Sequence, residues 1–362
     1  GEPRIDASMA SSRWALPLLV GALALALTLC DPTSLHPLLR LARLGVPGDE
    51  SVDSFDVHYK EVLGNKQHTS GDAGVASSFY NLATEFYEYG WGDSFHFGWR
   101  KRGEPHLVSI QNAQAHLASK LGVGDMDRVL DMGCGIGGPL RGVVRATGAN
   151  VTGLTINAHQ VRRAEQITAK LTPYMRARCH FSLQDYLNVD SSIEEGVYDA
   201  AFYMESSLHC ENRTKTFLEA FRLLRPGGRL VALEYVTLDA WNSSDATHAE
   251  LMRMHLHGNG AARTPTVEEA LAMVRAAGFV VTEHYDYMSV GQRLYGADEF
   301  PWWGDLQFSE QGLLPTLLPA HPWVRKGLHY VLSALSAVGA VPADVAKAAA
   351  LMDMGGAGLS GL

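Results

Sequence analysis

Residues 129–138 read VLDMGCGIGG, an apolar run closed by an acid and then glycines at every second position. No other segment constrains the chain so strongly. The apolar run suits a buried strand over 128–132. Gly133, Gly135 and Gly137 let the backbone turn sharply and present itself bare to a ligand. A helix predicted over 139–146 would aim its unpaired N–H groups at the same place, an end that favours a carboxylate or another anion.

The rest of the pattern builds outward from this turn. Apolar runs predict further strands over 150–155, 178–184, 198–204, 229–236 and 279–287. Helical spacing predicts helices over 158–171, 214–224 and 267–277, and Pro226-Gly227-Gly228 reads as a turn. Strands alternating with helices imply an α/β architecture: a Rossmann-like, mostly parallel sheet with helices on both faces. Ligands of such sheets bind at the carboxyl ends of the strands. Upstream, helices are expected over 51–66, 76–89 and 109–121. Residues 343–350 are alanine-rich and helical.

A dinucleotide loop would carry an acid after the second strand. Here the glycines alternate and Asp131 precedes the first by two residues. The pattern resembles motif I of the class I S-adenosylmethionine-dependent methyltransferases. That resemblance implies S-adenosyl-L-methionine as cofactor, S-adenosyl-L-homocysteine as product and no metal. The candidate cofactor residues are Asp131, Gly133, Cys134, Gly135, Gly137, Thr155, Asn157, Gln160, Asp185 and Tyr186. Many such enzymes hold the ribose with an acid after the second strand. This chain has none, which leaves Thr155, Asn157 or Gln160 to supply those bonds. Each of these is equally a helix cap or a turn former.

Residues 80–100, YNLATEFYEYGWGDSFHFGWR, are dominated by aromatic side chains. An aromatic stripe is usually core. This one also carries Glu88, Asp93 and His96 among glycines, which a core stripe does not need. The stretch YEYGWG followed by SFHF closely resembles the signature of the sterol 24-C-methyltransferases. Residues 205–210 (ESSLHC), Glu234-Tyr235-Val236-Thr237 and Phe300-Pro301-Trp302-Trp303 fit the same family. The likeness spans about residues 51–362, is strong from 79 to 290, and includes a helical C-terminal region. It implies a sterol acceptor whose side-chain alkene takes the methyl at C24, leaving a carbocation near C25. A hydride shift and loss of a proton follow. Such a site must tolerate cations, which aromatic faces do at roughly 0.5–2 kcal/mol each. The candidate catalytic residues are Tyr87, Glu88, Tyr89, Trp91, His96, Glu205 and His209, with Phe95 as a further aromatic face. The four polar ones have a plain alternative as satisfied structural groups. Two rival functions stand beside this one: methylation of a tocopherol, quinone or fatty acyl chain, and non-catalytic sterol binding.

The net charge of −9 argues against nucleic acid as a partner. The four cysteines show no metal-ligand spacing and read as free thiols. Residues 14–30 (WALPLLVGALALALTLC) carry no charge and sit at the lower limit for a membrane span. They are expected to be a retained anchor placing the protein on the endoplasmic reticulum membrane, its catalytic part facing the cytoplasm. A cleaved signal peptide and a plastid-targeting segment are the alternatives. The expected organisation is a leader, anchor and linker over 1–50, helices with the aromatic segment over 51–125, the cofactor-binding part over 126–290, and the C-terminal region over 291–362. Homo-oligomers are left open. Residues 306–323 carry three prolines and depart from the family, which predicts a reshaped pocket. The family ends in an apolar strand that belongs inside the sheet. This sequence stops at Gly361-Leu362 without one, which predicts an incomplete chain with unpaired sheet backbone.

Overall fold

The computed structural model describes residues 51–64, 73–210, 212–306, 322–339 and 341–361. Two helices lead, α1 (Val52–Gly64) and α2 (Ala73–Trp91), followed by the two-residue strand β1 (Arg100–Lys101) and α3 (His106–Leu121). The alternating part then runs β2 (Arg128–Met132), α4 (Gly138–Thr147), β3 (Asn150–Thr155), α5 (Ala158–Thr168), a single turn α6 (Pro173–Arg176), β4 (Cys179–Leu183), β5 (Tyr198–Met204), α7 (Arg213–Leu223) and β6 (Leu224–Leu233). Helices α8 (Ala246–Gly258), α9 (Val267–Ala276) and α10 (Ser289–Tyr295) follow. The strand β7 (Glu299–Phe300) and helices α11 (Pro322–Ala337) and α12 (Ala343–Gly361) complete the described chain.

The main sheet is ordered β4-β3-β2-β5-β6 with every pair parallel. β2 lies at its centre, its residues Val129 to Met132 almost wholly buried. The chain reverses direction across the sheet beside β2, so the glycine turn opens into the crevice where such sheets take ligands. Local signals set the helices that flank this crevice. Asn157 caps α5 through a bond from the Gln160 N–H, Asp245 caps α8, and Thr266 with Glu269 forms a reciprocal capping box on α9.

Apolar side chains cover both faces of the sheet. Leu117, Leu121, Leu140 and Val144 pack on one face, and Phe217, Leu223 and Ala277 on the other. A separate helical layer joins α1, α2, α11 and α12 around Phe55, Phe79, Leu82 and Leu332. Phe79 is fully buried, with its ring 5.9 Å from that of Phe55. Phe79→Ala should therefore cost about 3–5 kcal/mol, read as a lower denaturation midpoint.

Three sequence expectations need correction. Residues 279–287 form no strand. The described sheet ends at β6 with no strand paired on its outer edge, and Val280 is 86% exposed, so this segment buries too little apolar surface to hold it there. The last strand starts at Leu224 rather than at 229. Tyr198 pairs with Leu224 and Ala200 with Arg229, so Pro226-Gly227-Gly228 bulges out within β6. The membrane partner and the endoplasmic reticulum membrane placement are not upheld: among the described residues no helix is long and apolar enough to cross a membrane. Residues 14–30, on which both rested, lie outside the described residues. So does most of the proline-bearing stretch 306–323.

Candidate active site

The glycine turn is fixed from behind. The N–H groups of Gly133 and Cys134 both donate to the Leu154 carbonyl on β3, at 3.0 and 2.9 Å, and the Gly137 N–H donates to the Cys134 carbonyl at 2.8 Å. Ser206, just past β5, donates its hydroxyl to the Met132 carbonyl at 2.6 Å. At Gly135 the backbone has φ +53°, and a Cβ placed there would meet only Phe95 at 3.8 Å and Gln160 at 4.0 Å. The turn thus presents bare backbone to open space. Asp131 is buried, and its Oδ2 has no hydrogen-bond partner among the described residues. Burial holds its carboxyl well above the usual range. An amino group or hydroxyl of a ligand is what this oxygen lacks. The residues therefore fit S-adenosylmethionine: an open glycine cradle, an unsatisfied acid and the start of α4.

The other expected cofactor residues divide. The Thr155 hydroxyl donates to Gln160 Oε1 at 2.8 Å. Asn157 Nδ2 reaches the Ser77 carbonyl and Asn81 Oδ1 on α2, at 3.0 and 2.8 Å. Thr155, Asn157 and Gln160 are buried, and Asn157 and Gln160 stitch α5 to α2. Asp185 Oδ1 accepts from the Leu187 N–H, and Tyr186 donates to the Ser206 carbonyl at 2.9 Å. Cys134 is buried, and burial raises its thiol well above the ordinary value.

A cleft enclosing about 1050 Å³, open solvent included, shares Phe95 with this turn. Its walls come from α2, the 95–97 segment, the ends of β5 and β6, and helices α8, α11 and α12. Phe95 belongs both to this wall and to the roof over Gly135. Tyr87, Tyr89 and Trp91 line it. The Tyr87 ring packs against Phe95 at 5.3 Å and against Trp91 edge-on at 6.2 Å. The 80–100 stripe is thus part core and part cavity wall: Leu82 packs in the helical layer with Phe79 just before it, and Phe86 touches both that layer and the cavity.

Glu205 stands at the carboxyl end of β5 with φ +54°, a left-handed backbone unusual for a residue with a side chain. Such strain is found where a side chain must be aimed. Its Oε1 accepts from the Phe97 N–H and its Oε2 from the Tyr235 hydroxyl, both at 2.8 Å. Burial pushes its pKa up to about 8. His209 is held neutral: burial lowers its pKa to about 4. Its Nδ1 lies 2.8 Å from the Gly260 carbonyl, which can only accept, so Nδ1 carries the proton. Nε2 is then left to accept from Tyr80, whose hydroxyl lies at 2.8 Å. His96 is neutral for the same reason, its pKa lowered by burial to about 4, with Nδ1 donating to the Phe97 carbonyl. Glu88 does not line the cavity. It forms a two-point ion pair with Arg163 of α5, at 2.9 and 2.5 Å, alongside a His159–Glu85 contact at 3.1 Å.

Several cavity residues went unnoticed in the sequence. Tyr235 sits just past the last strand, a position that strand order alone makes suspect. His255 and Asn259 end a helix that was not predicted. Burial lowers the pKa of His255 to about 4. Arg325 and Asp353 come from helices whose approach no local pattern announces. Among the described residues, no group of three His, Cys, Asp or Glu is placed to hold a metal ion.

A family described as a methyltransferase domain matches residues 130–232. A sterol 24-C-methyltransferase of Gibberella zeae is 31% identical over 282 residues, 76% of this chain and 71% of that protein. The chain belongs to the sterol 24-C-methyltransferase family. Cycloartenol-C-24-methyltransferase 1 of Oryza sativa subsp. japonica is 33% identical over 233 residues, covering 64% of this chain and 66% of that one. Among solved structures, the [4+2]-cyclase SpnF aligns with a TM-score of 0.56 at 22% identity, covering 78% of this chain and 89% of that one. The geranyl diphosphate C-methyltransferase of Streptomyces coelicolor A3(2) aligns with a TM-score of 0.51 at 20% identity, covering 69% and 93%. These two carry the fold: a class I methyltransferase sheet flanked by helices. As a member of this family, the chain is an S-adenosylmethionine-dependent methyltransferase for a small hydrophobic acceptor.

Proposed function

We propose that this enzyme methylates C24 of a sterol side-chain alkene, and that Glu205 takes the proton lost at the end. The observation that carries the proposal is an aromatic-walled cleft that meets the glycine turn through Phe95, with a strained carboxyl in its wall. Bound S-adenosylmethionine would supply an electrophilic methyl group, held by Asp131, the glycine turn and the start of α4. Everything else falls to the residues of the chain. The alkene is a neutral nucleophile, so the first step needs no base. Tyr87, Trp91 and Phe95 offer ring faces to the positive charge left on the acceptor. Tyr80, whose proton points to His209 Nε2, turns its oxygen lone pairs to the surroundings. The neutral cavity histidines add no repelling charge.

Glu205 is the acid–base group whose environment suits proton removal. Burial favours its neutral form, and a cation arriving in the cavity favours the carboxylate. The Phe97 N–H and the Tyr235 hydroxyl each hold one carboxylate oxygen, so the charged form finds its donors in place. His96, His209 and His255 are held to about 4. Between pH 5 and 9 the only titration expected from these four cavity groups is that of Glu205. With Glu205 as base, kcat/KM should rise with pH through about 8 with unit slope.

The cavity assignment is tested by Tyr87→Leu and Trp91→Leu. Each is expected to lower kcat about 10-fold or more, by removing a cation-stabilising face, while calorimetric affinity for S-adenosylhomocysteine stays within about threefold. Equal loss of turnover and cofactor affinity would make the segment a cofactor lid instead.

A further inference from the structure

One charged pair in the cavity has no part in the chemistry above. Arg325 of α11 donates from Nε to Asp353 Oδ1 of α12 at 2.9 Å, and from its NH1 group to the Leu306 carbonyl at 3.2 Å. Both residues line the cavity, with side chains 14% and 25% exposed. Their neighbours along this wall are apolar: Leu306, Leu328, Ala349, Met352 and Leu359. The guanidinium also lies close to Gly356, where a Cβ would sit 3.4 Å from the Arg325 Cζ.

A half-buried ion pair in an apolar wall gives little net stability, because desolvation offsets its attraction. Plain helix packing at this spot would be served as well by two apolar side chains. What the pair adds is a polar point on an otherwise greasy surface. It lies in the wall built by α11 and α12, whereas Phe95 and Glu205 mark the wall nearest the glycine turn. Arg325 holds Asp353 by Oδ1, and Asp353 lines the same space.

We propose that Arg325 and Asp353 form a subsite that reads a hydroxyl at the end of the acceptor remote from its alkene. The hydroxyl donates to Asp353 Oδ2, and the apolar residues around it take the ring system. This deepens the sterol reading of the cavity and rests on it. The subsite fixes the depth to which the acceptor enters, and so which side-chain carbon stands at the methyl donor.

The test measures equilibrium binding of a radiolabelled 3-hydroxy Δ24 sterol and its 3-deoxy counterpart to the full chain, with S-adenosylhomocysteine present. Methyl transfer to each is measured in parallel. A hydrogen bond to a charged acceptor predicts that the natural protein prefers the 3-hydroxy sterol by about 10- to 100-fold. Asp353→Ala should bring that preference within about threefold, and Asp353→Asn, which keeps an acceptor oxygen, should restore part of it. Affinity for the 3-deoxy sterol should be the same in all three proteins, which guards against misfolding. A preference unchanged in Asp353→Ala overturns the subsite, whatever the turnover. Hydroxyl-dependent binding without methylation of either sterol would overturn the methyl-transfer reading and leave the subsite standing. Binding of neither sterol overturns both.

Discussion

Replacing Glu205 by glutamine should lower kcat by about 100- to 10,000-fold, the range expected when a positioned acid–base group is lost. Affinity for S-adenosylhomocysteine should change by less than about threefold, since the cradle around Gly135 is untouched. Glutamine keeps the size of the side chain and can still accept from the Phe97 N–H, so the fold should hold. The pH dependence separates a base from a merely polar wall. The natural enzyme should gain activity through about pH 8, and Glu205→Gln should be flat there. Stability gives a second reading that needs no turnover. The folded-state pKa of Glu205 lies above its unfolded value. Its contribution is therefore fully present below about pH 4.5 and lost as pH rises through about 8. The melting temperature of the natural protein should fall over that window more than that of Glu205→Gln. A variant that kept full activity would remove Glu205 from the mechanism and return it to a structural role.

Gly135→Val should weaken S-adenosylhomocysteine at least about 100-fold while leaving a folded protein. The left-handed backbone at φ +53° costs a branched residue about 1–2 kcal/mol, which the domain can absorb. No protein atom closer than 3.8 Å opposes the new Cβ. The side chain therefore occupies space that belongs to the ligand. Gly133→Val makes the contrast: its Cβ would fall 2.5 Å from the Ser206 Cβ, where β5 is tied to β2. That variant should lose the fold, not just the ligand. Circular dichroism and calorimetry on the pair distinguish the two outcomes. A Gly135→Val protein that bound the cofactor normally would remove the glycine turn from the site.

The central strands β2 and β5 were legible because they are buried on both faces and read as apolar runs bounded by turns. The glycine turn was legible because backbone that must stay bare leaves a mark in the sequence. The aromatic segment was only partly so. Composition does not say that Phe79 and Leu82 pack in the helical layer while Tyr87 and Trp91 line a cavity; that depends on α12, far along the chain. Helix α12 itself runs through Gly355, Gly356 and Gly358, residues that locally argue against a helix. It survives because Gly355 allows close contact with Gly258 of α8, where a Cβ would lie 2.5 Å from the Gly258 carbonyl oxygen. Residues 279–287 failed as a strand for the converse reason: a β pattern is only an offer, and with Val280 86% exposed this one gains little burial from the open edge of β6. Glu88 reads locally as an acid among aromatics, and its ion pair with Arg163, 75 residues away, leaves no local mark.

The account turns on where the methyl group goes. The full chain should be incubated with S-adenosylmethionine carrying a deuterated methyl group, and with a panel of Δ24 sterols, 24-methylene sterols, a tocopherol and a quinone. Mass spectrometry then locates the label. Label on the side chain of a sterol at C24 is the predicted result. Label appearing only in the tocopherol or the quinone would contradict it.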